Sequence, residues 1–365
     1  LLQLKMEKEY RFGKPLISIA LGLTGILFLT WAVAADGWLA GIYFHRWYDF
    51  ISTLLRKVFG SLTGSIGDVI YCVWVIIGII FLIKTLWRLI RGQWKALFHG
   101  LLRAVASLCW LYFIFLLFWG AHYQRTTMVK DLGYGVQPYT KADLYLLADT
   151  LVRLTNRDKA ALEALPSPPD TIPREVFADA AKAYGALSAD FPILRYRNPC
   201  VKKSMFGHYL NYLGVTGYLN PFTNEAQVNA TVPAFQVPYV TCHEIAHQLG
   251  FAPEEDANFV GYLAASRYND PRFRYAANYE MLLYTIRRIA RRDPPLARLL
   301  WNKTHPGIRA DAQRAIDFYR EYEGPADDYS AIFYDQYLKA NNQRHGIRSY
   351  SEVVGWLIDY YRIKG

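Results

Sequence analysis

The sequence predicts a mainly α chain of α+β class, and three observations carry that expectation. Three long apolar stretches, nearly free of charge, fall before residue 122. Each approaches the ~20 residues that a helix needs to cross a bilayer. Most of the remainder repeats apolar residues at helical spacing. One stretch alternates with period two, Ala226, Val228, Ala230 and Val232 against Gln227, Asn229 and Thr231. The expected architecture is three N-terminal transmembrane helices followed by a mostly helical domain with a small sheet, divided into 1–121 and 122–365.

Composition agrees with that division. Of 365 residues, 53% are hydrophobic and only 20% charged, which is apolar for a soluble protein of this length. The net charge of +10 comes without a nucleic-acid-binding motif, so nucleic acid is not an expected partner. Much of the positive charge flanks apolar segments, which makes the lipid bilayer the expected neighbour.

Residues 1–14 are basic, with Lys5, Lys8, Arg11 and Lys14, and Met6 is a candidate start. No cleavable signal peptide stands out. The spans are expected at about 15–37, 67–87 and 102–121. Between the first two, residues 43–60 carry Trp47, Phe50, Ile51, Leu54, Leu55, Val58 and Phe59 at helical spacing, interrupted by Arg46, Arg56 and Lys57. That pattern predicts an amphipathic helix on the membrane surface. Lys84, Arg88, Arg91, Lys95 and Arg103 connect spans two and three. By the positive-inside rule they and the N-terminus lie in the cytoplasm, and residues 122–365 lie outside.

Further helices are expected at 141–156 after a Thr140 cap, at 174–188, 275–292, 309–322, 329–341 and 349–361. Residues 156–173, with four prolines, read as a connector. Pro233 and Pro238 argue against a central strand at 226–232 and predict an edge strand. An ordinary surface hairpin is the other reading. Cys72 and Cys109 lie in apolar segments, and Cys200 and Cys242 could pair in an oxidising compartment.

The chemistry is expected in residues 239–268. His243 and His247 are four apart, so on a helix both imidazoles project from one face and can hold one zinc ion. Glu244 is placed to take a proton from water. Gly250 stops that helix, and Pro253 opens the next at its first position. On the second helix Glu254, Ala257, Asn258, Gly261 and Ala265 share one face, small apart from Glu254 and Asn258. Glu254 is therefore the expected third ligand, with Glu255 as the fallback. Asn258 is expected to hold His243 or His247 by a hydrogen bond. Tyr337 and Asn341 are candidate donors to an oxyanion, with His208, His305 and His345 as alternatives.

At these residues the chain resembles zinc peptidases with a His-Glu-x-x-His helix and a glutamate third ligand, the gluzincin type. In membrane members of that group the second element reads Glu-x-x-Ala-Asp. Glu254 to Asn258 fits with asparagine in the last place, but only six residues separate His247 from Glu254, fewer than is usual there. The sequence is more similar to a bacterial membrane family known as domain of unknown function 3810. The shared stretches are GYLNPFTNEAQVN (217–229), CHEIAHQLGFAPEEDANFVGYLA (242–264) and DQYLKANNQRHGI (335–347). The resemblance implies a zincin-like domain facing outward from the cytoplasmic membrane. It further implies that Ala226, Val228 and Asn229 line the cleft as an edge strand and bind a peptide or protein substrate by strand addition. The expected activity is peptide-bond hydrolysis with Zn2+. A zinc-binding sensor or assembly protein without turnover is the alternative, and a transporter component is a third.

Overall fold

The computed structural model describes residues 10–34, 37–125, 132–134, 138–166, 172, 175–325, 329–330, 332, 335–336 and 353–364. The structure is 74% helix and 4% strand, so helix packing sets the framework and the sheet is an accessory to it. Among the described residues, three helices are long and apolar enough to cross a membrane: α1 (Gly13–Ala34), α3 (Ile66–Ile90) and α4 (Trp94–Phe118). Between α1 and α3 runs α2 (Tyr48–Gly60), entered through a π-helical turn at Tyr43–Trp47.

Spans two and three are longer than expected at their basic end. Helix α3 continues through Lys84 and Arg88 to Ile90, and α4 already begins at Trp94. Long basic side chains can carry their charge away from an apolar environment, so they do not terminate a helix there. Gly92, at φ +63°, makes the tight reversal. Helix α1 packs along α4, with Gly22 against Cys109 and Gly25 against Phe113. Tyr43 Oη donates to the Leu116 carbonyl at 2.8 Å, and Trp47 Nε1 to the Leu117 carbonyl at 2.9 Å. These bonds satisfy carbonyls at the end of α4 that have no partner within the helix.

Helix α2 differs from the expected surface helix. Its Tyr48, Ile51, Ser52 and Arg56 are buried against the C-terminal part, while Phe50, Leu54 and Val58 are exposed. Apolar spacing concealed this because the packed face carries a serine and an arginine.

The C-terminal part comprises α5 (Lys141–Glu163), α6 (Val176–Leu187), α7 (Val237–Gln248), α8 (Glu254–Arg267), α9 (Pro271–Ala290), α10 (Pro294–Asn302), α11 (Pro306–Arg320) and α12 (Val353–Lys364). Thr140 caps α5 in a reciprocal pair with Asp143. That helix runs through 156–163, which was expected to be connector, because Lys159 and Leu162 keep its buried face going. Helix α10 was not foreseen, although Asp293 before two prolines is a start signal. Helix α7 lies in the core, packed by α6, α8 and α9, with Cys242, Ile245 and Ala246 fully buried. Cys200 and Cys242 are buried free thiols and do not pair.

Among the described residues, three strands form one sheet, β1 (Val201–Lys203), β2 (Gly217–Asn220) and β3 (Glu225–Val228), in the order β1-β3-β2. β1 is parallel to β3, and β2 is antiparallel, with Gly217 opposite Val228 and Asn220 opposite Glu225. The expected edge strand is thus the central one. Ala226 and Val228 are fully buried, and Asn229 is buried just past the strand end. The prolines misled because neither is in the ladder. Pro233 precedes a 3-10 turn, and Pro238 lies in the first turn of α7.

The sheet also seats the second span. Buried Glu225 accepts from the Ile66 and Gly67 amides at 3.2 and 2.5 Å, a favourable place for a carboxylate at a helix N-terminus. Replacing Glu225 with alanine removes the acceptor for both amides and for the Thr223 hydroxyl. The substitution should cost about 3 kcal/mol, read as a lowered midpoint of unfolding in detergent.

Candidate metal centre

Helix α7 begins with proline in its first turn and ends where Gly250 takes φ +93°. The Gly250 amide donates to the His247 carbonyl at 2.9 Å, and the Phe251 amide to Ala246 at 3.2 Å. That left-handed stop reverses the chain at once. Pro253 occupies the capping position, and α8 starts at Glu254, one residue later than expected. The short gap between His247 and Glu254 is therefore a tight corner rather than an obstacle.

The return path holds because α8 comes close to α7. A Cβ on Gly261 would lie 3.0 Å from both Cα and N of His243. Ala257, Gly261 and Ala265 supply the small face foreseen for this contact.

The corner brings Glu254 to both histidines. His243 Nε2 is 3.3 Å from one carboxylate oxygen, and His247 Nε2 is 3.7 Å from the other. The donor atoms lie within 4.8 Å of one another, a set that can hold a metal ion. Glu255 is not in that set. His247 Nδ1 faces the Phe251 carbonyl at 2.7 Å. An N–H on Nδ1 donating there leaves Nε2 as the lone-pair donor.

The electrostatics favour a positive charge at this spot. Burial pulls His247 down, but the Glu254 carboxylate outweighs it and raises the imidazole to about 9. Burial pushes Glu254 up, but the two imidazoles hold it well below the usual carboxylate range. Protons and a metal cation are two ways of supplying the same charge. Burial lifts Glu244 to about 7, against the pull of His243 and His247 and with the help of Glu254.

Two further observations fit a metal. The donors are two imidazoles and a carboxylate, the chemistry of a catalytic zinc site with an open position. Buried Glu244 Oε2, beside the cluster, has no protein hydrogen-bond partner, which buried polar atoms rarely tolerate and which a metal-bound water would supply.

Asn258 does not do what was expected. Its Oδ1 accepts from Tyr239 Oη at 2.9 Å, its Nδ2 has no partner, and the Phe251 carbonyl takes the role at His247. Tyr337, Asn341 and His345 lie outside the described residues. His208 faces Tyr322, and His305 caps α11, so neither joins the metal-ligand group.

Sequence reasoning missed three contributors. Gly217 in β2 faces Glu244, and a Cβ there would lie 2.5 Å from Glu244 Oε1. Glu280 in α9, pushed up by burial and lowered by Arg287 and His243, hydrogen-bonds Tyr284. The end of α7 is capped by residues from the N-terminal part that carries the candidate spans. Trp119 Nε1 donates to the His247 carbonyl at 3.2 Å, and Tyr48 Oη and Arg56 Nη1 donate to the Gln248 carbonyl at 3.0 and 3.1 Å. The glycine in GYLN could have hinted at a close approach. Nothing in the sequence pairs Trp119 or Arg56 with residues so distant.

These elements define a helical membrane protein with a buried His-His-Glu cluster. Residues 43–358 match the family described as Protein of unknown function (DUF3810), and the chain belongs to that family. No curated protein and no solved structure matches the chain.

Gly261→Ala pushes a methyl into the His243 backbone. It should lower stability by about 1–3 kcal/mol, read as an earlier unfolding midpoint, whereas Gly185→Ala, where a Cβ meets nothing within 4 Å, should not.

Proposed function

We propose that this chain is a membrane-anchored zinc peptidase of the bacterial envelope, with its site on the outer side of the cytoplasmic membrane. The observation that carries the reading is the convergence of His243 Nε2, His247 Nε2 and Glu254 on one point. Glu244 is buried beside them. A His-Glu-x-x-His helix supplies that combination for peptide-bond hydrolysis. The basic ends of the spans support the orientation.

His243, His247 and Glu254 would hold the metal. When bound, zinc supplies Lewis acidity, making water nucleophilic near neutral pH and polarising a carbonyl. Glu244 orients a water and takes its proton as the oxygen attacks the peptide carbonyl carbon. The same carboxylic acid then gives the proton to the departing nitrogen as the C–N bond breaks, leaving a carboxylate and an amine. Phe251 fixes the His247 ring through Nδ1. Gly217 leaves Glu244 the room to stand where it does.

The strand suited to a substrate backbone is β2 rather than β3. It is at one edge of the sheet and begins at Gly217, against the base. An extended peptide added to that edge runs its carbonyls past Glu244.

The test is cleavage of a quenched-fluorescent peptide mixture by the full-length protein in detergent with zinc. Glu244→Gln should keep the metal and lose turnover by about 10²–10⁴-fold. Undiminished turnover in that variant would overturn the assignment of the base. Gly217→Ala, which displaces Glu244 without touching a ligand, should likewise keep zinc and lose about tenfold or more in kcat.

A further inference from the structure

Behind the end of α7, away from the metal ligands, lies an open cleft. It is lined by Tyr48, Asp49 and Arg56 of α2, Arg125, and Arg195 and Arg197 of the segment before β1. Among the described lining residues, four arginines thus accompany one carboxylate. Asp49 pairs with Arg197, at 3.9 Å.

Arg56 makes the cleft more than a basic surface. It is 2% exposed, yet its hydrogen bonds go to neutral acceptors: the Arg197 carbonyl at 3.1 Å, Asn224 Oδ1 at 2.7 Å, the Gln248 carbonyl at 3.1 Å and Thr53 Oγ1 at 3.4 Å. No carboxylate lies within 4.0 Å of it among the described residues. A buried guanidinium with no anionic partner is costly, and the dipole at the end of α7 offsets only part of that cost. Arg195 and Arg197 are exposed at the rim. The guanidinium of Arg125 stacks over Phe44 at 5.1 Å.

Position identifies the chemistry. The α2 side of the cleft follows the end of α1, and Arg125 comes shortly after the end of α4. Both ends belong to candidate membrane spans that pack side by side in the same direction, Gly22 against Cys109 and Gly25 against Phe113, so the two ends share one side, and a span of that length ends where headgroups begin. Exposed Phe50 and Leu54 on α2 flank the same region.

We propose that this cleft binds a phosphate-bearing anion, with the headgroup of an anionic phospholipid as its source. Arg195 and Arg197 grip the phosphate oxygens by charge-assisted hydrogen bonds, and Arg56 supplies the buried positive field. Because Arg56 and Tyr48 also hold the Gln248 carbonyl, the anion stands one helix end away from His247. The inference does not depend on peptidase activity.

The test uses the full-length protein in a neutral detergent, with short-chain phosphatidylglycerol, short-chain phosphatidylcholine and inorganic phosphate as separate probes. Binding is read by titration calorimetry on the wild type and on the doubly substituted Arg195→Gln, Arg197→Gln. Both arginines are exposed, so the variant should fold, which an unchanged unfolding midpoint checks. Phosphatidylglycerol should bind the wild type more tightly than phosphatidylcholine, and the variant should lose about tenfold or more in affinity. Equal loss for inorganic phosphate bound as tightly as the lipid would keep the site and assign it to free phosphate. Equal binding of phosphatidylglycerol to both proteins, or no binding of either anion to the wild type, would overturn the proposal.

Discussion

A carboxylate held between two imidazoles in a buried helical interior is the constraint on which the site depends. Glu254 is 6% exposed and Glu244 2%. Charges there persist only when paired closely. That requirement fixes how near α8 must come to α7. The spacing in turn requires glycine at 261, a left-handed corner at Gly250 and a proline at 253 that enters α8 without an amide to satisfy. The acidic first turn of α8 also sits where a helix N-terminus favours negative charge. Local conformation, packing and electrostatics therefore agree at these residues.

The same helix end ties the site to the membrane part. The last carbonyls of α7 need donors, and Tyr48, Arg56 and Trp119 from the region of the spans supply them. The sheet adds a second tie through Glu225 and the start of α3. A cut at residue 121 would remove both Trp119 and α2 from the end of α7. Residues 43–60 and 119–123 thus belong structurally with the C-terminal part as much as with the spans. The family match, beginning at residue 43, starts after the first span and includes this junction.

Much of this was legible in the sequence, because the readable features are local. The apolar spans, the four-residue spacing of His243 and His247, the stop at Gly250 and the small face of α8 are all set within a turn or two of helix. Glu254 was legible from the same periodicity. The features that were not legible depend on partners distant in sequence. The central place of β3 comes from β1 and β2 pairing on both sides, and each is too short to show a period. Asn258 was assigned to a histidine because it shares a face with Glu254, but Tyr239 reaches it first. The burial of Arg56 runs against every composition rule and makes sense only beside Asn224 and the Gln248 carbonyl.

The central claim is that His243, His247 and Glu254 hold a metal ion. It is tested most directly by the metal content of the full-length protein purified in detergent without added chelator, beside His243→Ala prepared identically. The account predicts about one zinc per wild-type chain and almost none in the variant. A folded wild-type protein that binds no zinc when supplied with it, or a variant that holds as much, would contradict it.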